Sequence, residues 1–215
     1  MRKSRDLALI VMFAVLTFVF QALIGQVPGL ITGVPGIGYV FTIVYSIIQS
    51  VAFLMYEGRR WRIFAQGLLF SLIAFPFIPT FTLPAAMAAI INSFIVDVVF
   101  NSFYGHFKKE NKLFLWILLN QVYYWATLPL WLLPFLSLVA PIQEVLELWF
   151  IPLMSVILPL MIVEAVAGSY MGYKIYQRVE NSAATPIPLP TKRMENSMNT
   201  AHYAKLSPEK IASTG

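Results

Sequence analysis

Residues 161–180 read MIVEAVAGSYMGYKIYQRVE, and this stretch decides the fold class. It begins apolar, carries one carboxylate at Glu164, presents Gly168 and Gly172 four residues apart, and then runs into basic residues. Such a run is typical of a transmembrane helix that leaves the bilayer on its basic side. The spacing of four places Glu164, Gly168 and Gly172 on one helix face, where missing side chains let another backbone approach closely. The stretch therefore predicts a membrane helix that packs tightly against a partner helix.

The composition of the whole chain also favours membrane embedding. The 215 residues are 59% hydrophobic and 12% charged, and the mean hydropathy is +0.73, which is more apolar than a water-soluble protein presents. The absence of cysteine excludes disulfides and thiolate metal sites, and the two histidines, His106 and His202, lie far apart in the sequence. We expect an all-α integral membrane protein without a metal or other cofactor.

Six apolar runs predict six transmembrane helices. Their bounds are about 7–25, 39–56, 63–83, 85–103, 113–136 and 149–173. A signal peptide is the competing interpretation of the first run, but that run is long and no small-residue cleavage site follows it. We expect residues 1–180 to form one six-helix membrane domain. Residues 181–215 are rich in Pro, Ser, Thr and Asn without apolar periodicity, which predicts a disordered tail.

The basic residues give an independent test of the helix count. The fifteen Lys and Arg residues fall before the first run, between the second and third, between the fourth and fifth, and after the sixth. The other three connections have none. The positive-inside rule then places both termini in the cytoplasm of a multi-pass cell-membrane protein. Because topology explains the net charge of +5, the charge gives little support for nucleic-acid binding.

Prolines are concentrated in the predicted outer half. Proline removes a backbone donor and kinks a helix, and irregular backbone at membrane depth is tolerated where it is buried in protein or lines a cavity. Kinks that fit helices into a bundle are one explanation. The other is an outward-opening pocket covered by residues 26–38, a Gly- and Pro-rich segment that is too apolar for a freely solvated loop.

The fifth apolar run carries aromatic and amide side chains near mid-span. Flat rings beside amides suit a planar heterocyclic ligand, which needs stacking and a few directed hydrogen bonds. Ordinary helix packing explains the same pattern equally well. The run comprises Asn120, Gln121, Tyr123, Tyr124, Trp125 and Thr127, of which Asn120, Tyr124 and Trp125 are our candidate substrate-binding residues. From the first two helices, the candidates are Gln21 and Tyr39, with Tyr45 and Gln49 able to face the same space.

Two carboxylates, Asp97 and Glu164, lie inside predicted helices that contain no Lys or Arg to pair with them. Each should be protonated, hydrogen-bonded to a neighbouring helix or close to water. They are candidates for proton coupling or for contact with a cationic ligand, and a structural hydrogen bond between helices is the alternative.

Motifs of hydrolases, metalloproteases and P-loop ATPases are absent from the sequence. We expect a protein that is not an enzyme. If ATP energises transport, a separate subunit has to supply the hydrolysis.

The six-helix topology, the sequence RDLALIVMFAVL at 5–16 and the ending VAGSYMGYKIYQRV at 166–179 resemble the substrate-binding S components of energy-coupling-factor vitamin transporters. The resemblance covers about residues 5–178. It implies capture of a vitamin or related micronutrient in an outward pocket that the first loop closes. It also implies a transmembrane coupling subunit and ATPase subunits as partners. An Ala-x-x-x-Ala pair, frequent in the family on the first helix, is missing, since Ala8 precedes Met12 and Ala14 precedes Phe18 at that spacing.

Two rival functions remain open. One is a membrane structural or assembly protein without a small-molecule ligand, which recruits a partner through the glycine face and the tail. The other is a small secondary transporter that uses Asp97 or Glu164 as a proton site.

Overall fold

The computed structural model describes residues 2–26, 42–78, 82–138, 141, 147 and 151–184, and those residues form helices and turns without a strand. The helices are α1 (Arg2–Phe20), α2 (Thr42–Met55), α3 (Arg62–Phe77), α4 (Leu83–Lys109), α5 (Leu113–Leu136) and α6 (Ile151–Ala184). A π-helical turn, Gln21–Gln26, continues α1. The all-α prediction is confirmed for the described residues. Tyr39, the 27–38 part of the first loop and tail residues 185–215 lie outside them.

Among the described residues, three helical segments are long and apolar enough to cross a membrane: Ser4–Ile24, Leu83–Lys109 and Leu113–Phe135. The helices α2 and α3 are apolar but shorter. Large apolar side chains of α1 and of the π-helical turn are exposed, including Leu7 and Leu23, as expected of a helix that contacts lipid. The prediction of membrane embedding therefore has structural support, while the count of six spans and the orientation of the termini stay predictions.

Two helices differ from their predicted ends for identifiable reasons. The helix α3 ends at Phe77 instead of continuing to residue 83, because Ile78 is extended. Ile78 precedes Pro79 in the sequence, and the residue before a proline is disfavoured in the helical conformation. The helix α4 continues past residue 103 to Lys109. Its last turn carries Lys108 and Lys109, whose positive charges complement the carbonyl end of a helix. Residues 181–184, which we predicted as part of the tail, continue α6.

Residues up to Arg178 form one compact unit, and the described residues beyond it are the end of α6. Aromatic packing joins α4 to α5 near their basic ends. The Phe107 and Trp116 rings stack with centroids 4.5 Å apart, and the Trp116 indole donates a hydrogen bond of 3.1 Å to the Phe100 carbonyl. In lipid, where apolar surface gives no driving force between helices, such close packing and interhelical hydrogen bonds hold the bundle together.

Candidate functional site

One buried stripe runs along α5 and has polar residues in its middle. Its members recur every three or four residues and are Trp116, Ile117, Asn120, Gln121, Tyr124 and Trp125. Tyr123 lies off this stripe and is exposed. The polar run that we singled out from the sequence thus faces the inside of the bundle.

The stripe meets α2 through two pairs of residues. The rings of Tyr45 and Trp125 lie 5.9 Å apart, and Gln49 and Ser93 of α4 both lie close to the Tyr124 hydroxyl. Tyr45 and Gln49 are one turn apart, and so are Gln121 and Trp125, so each pair shares a helix face. The structure therefore brings Tyr124 and Trp125 together with the two α2 residues that we expected to face the same space.

Several polar atoms at this contact have no hydrogen-bond partner among the described residues. Gln121 is 0% exposed, and neither its Oε1 nor its Nε2 is bonded. The Gln49 Oε1 and the Trp125 Nε1 are also unpartnered. Each buried polar group without a partner costs about 1–3 kcal/mol, and bilayer hydrocarbon has no water to satisfy it. We call Tyr45, Gln49, Gln121, Tyr124 and Trp125 the α2–α5 polar cluster.

The chemistry of the α2–α5 polar cluster is that of an uncharged site. Gln121 offers a donor and an acceptor side by side, the Trp125 indole offers a donor, and the tyrosine and tryptophan rings offer flat apolar faces. Its five members include no acid or base that is charged at neutral pH. The cluster can therefore recognise a neutral planar group that carries adjacent donors and acceptors.

Asn92 of α4 holds the backbone of α5 beside the cluster. Its Nδ2 donates to the Tyr124 carbonyl at 2.8 Å, and its Oδ1 accepts from the Thr127 hydroxyl at 3.0 Å. Pro129 follows Trp125 by four residues and has no N–H to offer to the Trp125 carbonyl. The α4 side chain thus supports α5 where its backbone ladder is interrupted, and the Trp125 carbonyl is a further acceptor next to the cluster.

Two predicted binding residues are not joined to the cluster. The Nδ2 of Asn120 donates to the Trp116 carbonyl of its own helix at 2.8 Å. Gln21 lies half-buried in the π-helical turn after α1, and Tyr39 lies outside the described residues. Their contact with a ligand stays a prediction, and so does the lid function of residues 26–38. Gln121, in contrast, was not among our candidates.

Asp97 caps the start of α3. Its Oδ1 accepts from the Trp61 N–H at 2.8 Å and from the Asn101 amide at 2.9 Å. Its Oδ2 accepts from the Ile63 and Phe64 N–H groups at 2.8 and 3.2 Å. A helix start leaves N–H groups without partners inside the helix, and a carboxylate there satisfies them and complements the helix dipole. The structural alternative accounts for this residue, whereas its contact with a proton or cation stays a prediction.

Glu164 acts in the same way on α2. Its Oε2 accepts from the Ile43 N–H at 3.2 Å, and Thr42 bonds the same carboxylate through its backbone and side chain. Both residues belong to the first turn of α2. The second candidate carboxylate is therefore also placed at the N-terminal end of a helix from another part of the chain.

The glycine face of α6 packs against α2. A Cβ added to Gly168 would lie 2.5 Å from the Ser46 Cβ, and one added to Gly172 would lie 2.7 Å from the Ser50 Cβ. Small residues thus face small residues across a close helix pair, as in other membrane helix contacts. The helix that Gly168 and Gly172 pack against is α2 of the same chain.

Groups of three or more His, Asp or Glu side chains that could hold a metal ion are not found among the described residues. Comparison with known proteins gave no match to a family model, to a curated protein or to a solved structure.

Proposed function

We propose that this chain is the membrane-embedded substrate-capture subunit of an energy-coupling-factor-type transporter for a vitamin or related small micronutrient. In this proposal it is a multi-pass protein of the cell membrane with six spans and both termini in the cytoplasm. The observation that carries the proposal is the buried Gln121 amide, whose two polar atoms have no partner among the described residues.

A buried amide without a hydrogen-bond partner destabilises the folded protein, so it is not expected at a position with a purely structural role. Apolar side chains of similar shape in the same place avoid the desolvation penalty. A ligand that presents a donor next to an acceptor would form two parallel hydrogen bonds with Gln121, as glutamine does with the edge of a nucleic-acid base. The rings of Tyr45 and Trp125, which are in contact, would cover the flat face of such a ligand.

The two rival functions have less support from the geometry. Asp97 and Glu164 accept hydrogen bonds from helix N–H groups, which explains both carboxylates without proton coupling. Gly168 and Gly172 lie against Ser46 and Ser50, which leaves little of the glycine face for another protein. Substrate capture uses the buried polar groups that neither rival explains.

In the proposed transporter, a transmembrane coupling subunit and ATPase subunits provide the energy. The first helix has an exposed apolar side that includes Val11, Met12 and Val15. Ala14, at 0% exposure, faces the bundle instead. A coupling subunit that docks on α1 would thus meet larger side chains than the alanine pair that is frequent in the resembled family.

Native mass spectrometry of the protein purified in mild detergent, combined with small-molecule extraction, tests the proposal. We expect a neutral planar metabolite to copurify, and we expect its occupancy to fall in Gln121→Leu but not in Tyr123→Phe, a control on the exposed side of the same helix. A folded wild-type protein that stays empty after incubation with a panel of vitamins would contradict substrate capture. Uptake that depends on the proton gradient but not on copurifying ATPases would favour the secondary transporter.

A further inference from the structure

A separate pocket lies where the turn before α3 meets α4. Its volume is about 160 Å³, and its lining residues are Arg60, Trp61, Asp97, Val98 and Ser102. Sites for drug-sized molecules typically measure about 300–1,000 Å³. The pocket is therefore too small to enclose a vitamin, and its size suits a single small polar group such as a phosphate.

The cation in the lining, Arg60, has no ion-pair partner among the described residues. The neighbouring arginines Arg59 and Arg62 both pair with Asp6, but Arg60 is exposed and has no carboxylate partner among the described residues. Asp97, the acidic residue of the lining, accepts four hydrogen bonds from backbone and amide donors. The oxygens of Asp97 are thus occupied by N–H donors, and the Arg60 guanidinium is the charged group of the lining that is left without a described partner.

The surroundings of the pocket are those of a membrane–water interface. Trp61 is 52% exposed and packs against Phe94 of α4 with ring centroids 6.0 Å apart. Tryptophan is enriched at the level of the lipid headgroups. From the pocket, exposed apolar side chains of α4 continue on one helix face toward the other end of the helix. They are Val98, Phe94, Met87 and Leu83.

We propose that this pocket binds the phosphate of an anionic phospholipid. The Arg60 guanidinium contacts the phosphate, Trp61 lies beside the headgroup, and an acyl chain follows the exposed α4 face. A free phosphate ion shares the first contact, but it makes no use of the apolar face. The site is independent of the α2–α5 polar cluster and holds whether or not the chain captures a solute.

Lipid titration followed by native mass spectrometry tests this site on the full chain in detergent. The probes are phosphatidylglycerol and phosphatidylcholine with identical acyl chains. We expect the wild type to bind phosphatidylglycerol more tightly than phosphatidylcholine. Arg60→Gln should weaken that binding about fivefold, the contribution of one basic side chain near an anionic lipid surface. Lys109→Gln removes an exposed cation outside the pocket and should leave the affinity unchanged.

A second variant and a second ligand separate a defined pocket from general surface charge. Ser102→Phe keeps every basic residue but fills the pocket, and because Ser102 is exposed on α4 we expect the protein to fold and to lose the lipid preference. Equal losses in Arg60→Gln and Lys109→Gln would overturn the proposal in favour of a diffuse surface potential. Displacement of phosphatidylglycerol by millimolar inorganic phosphate would overturn the lipid as the occupant and identify a free-anion site.

Discussion

Replacing Gln121 with leucine distinguishes a ligand-binding amide from a structural one. Leucine is close to glutamine in size and removes both polar atoms, neither of which has a partner among the described residues. We expect the free energy of unfolding to increase by about 1–3 kcal/mol, the desolvation penalty of a buried unsatisfied group. The affinity for the ligand should decrease by about 5- to 150-fold, since a bidentate amide pair contributes about 1–3 kcal/mol.

The chain offers a matched control in Gln66 of α3. This glutamine is also buried, at 5% exposure, but its Oε1 accepts a hydrogen bond of 2.9 Å from the Tyr56 hydroxyl. The variant Gln66→Leu leaves that hydroxyl without its partner. We expect it to lower the free energy of unfolding by about 1–3 kcal/mol, which is the opposite sign from Gln121→Leu.

Thermal unfolding in detergent, monitored without ligand, measures both variants. In soluble domains of similar length, 1 kcal/mol corresponds to a shift of about 2–4 °C in Tm. Gln121→Leu should therefore melt above the wild type and Gln66→Leu below it. A decrease in Tm for both variants would show that Gln121 is satisfied within the folded chain, and the main support for substrate capture would be lost.

Three further predictions concern the helix contacts. Asp97→Asn replaces a carboxylate that accepts four hydrogen bonds. The free energy of unfolding should fall by about 1.5–3 kcal/mol, and an unchanged value would contradict the capping role. Gly168→Ala places a Cβ 2.5 Å from the Ser46 Cβ and should lower the free energy of unfolding by about 1–3 kcal/mol. Its control is Gly105→Ala, where no atom lies within 4 Å of the added Cβ; this variant should leave the free energy of unfolding unchanged or raise it by up to about 1 kcal/mol. Glu164→Gln keeps an acceptor oxygen for the start of α2, so ligand binding and uptake should persist; a folded variant without uptake would restore the proton-coupled function.

The helices could be predicted from the sequence because uninterrupted apolar runs fix both the type and the approximate length of membrane helices. Their ends were harder to predict. The helix α3 ends at Phe77, where the extended Ile78 precedes Pro79, although apolar residues continue beyond it. The glycine spacing on α6 predicted a closely packed face, but spacing on one helix does not identify its partner. Only the fold shows that Ser46 and Ser50 of α2 pack against Gly168 and Gly172.

The two adjacent amides of α5 show why the site was only partly predictable. Asn120 and Gln121 are both buried. The short side chain of Asn120 reaches back to the Trp116 carbonyl, as short polar side chains commonly do in helices, whereas the Gln121 amide has no described partner. The sequence does not show which of the two amides is hydrogen-bonded within its own helix. Our candidate binding residue was Asn120. The four-residue spacing of Ile117, Gln121 and Trp125 was the signal that would have included Gln121.

Asp97 and Glu164 each cap a helix that is short compared with a membrane span. The helices α2 and α3 contain 14 and 16 residues, or about 21 and 24 Å at about 1.5 Å per residue, which is less than the bilayer core of about 30 Å. The first N–H groups of any helix have no partner inside the helix and need acceptors from elsewhere when water does not reach them. Asp97 and Glu164 provide those acceptors from other helices. A charge at membrane depth usually indicates a functional site, but hydrogen bonds to a helix start account for both carboxylates here, whereas both polar atoms of the buried Gln121 amide have no described partner.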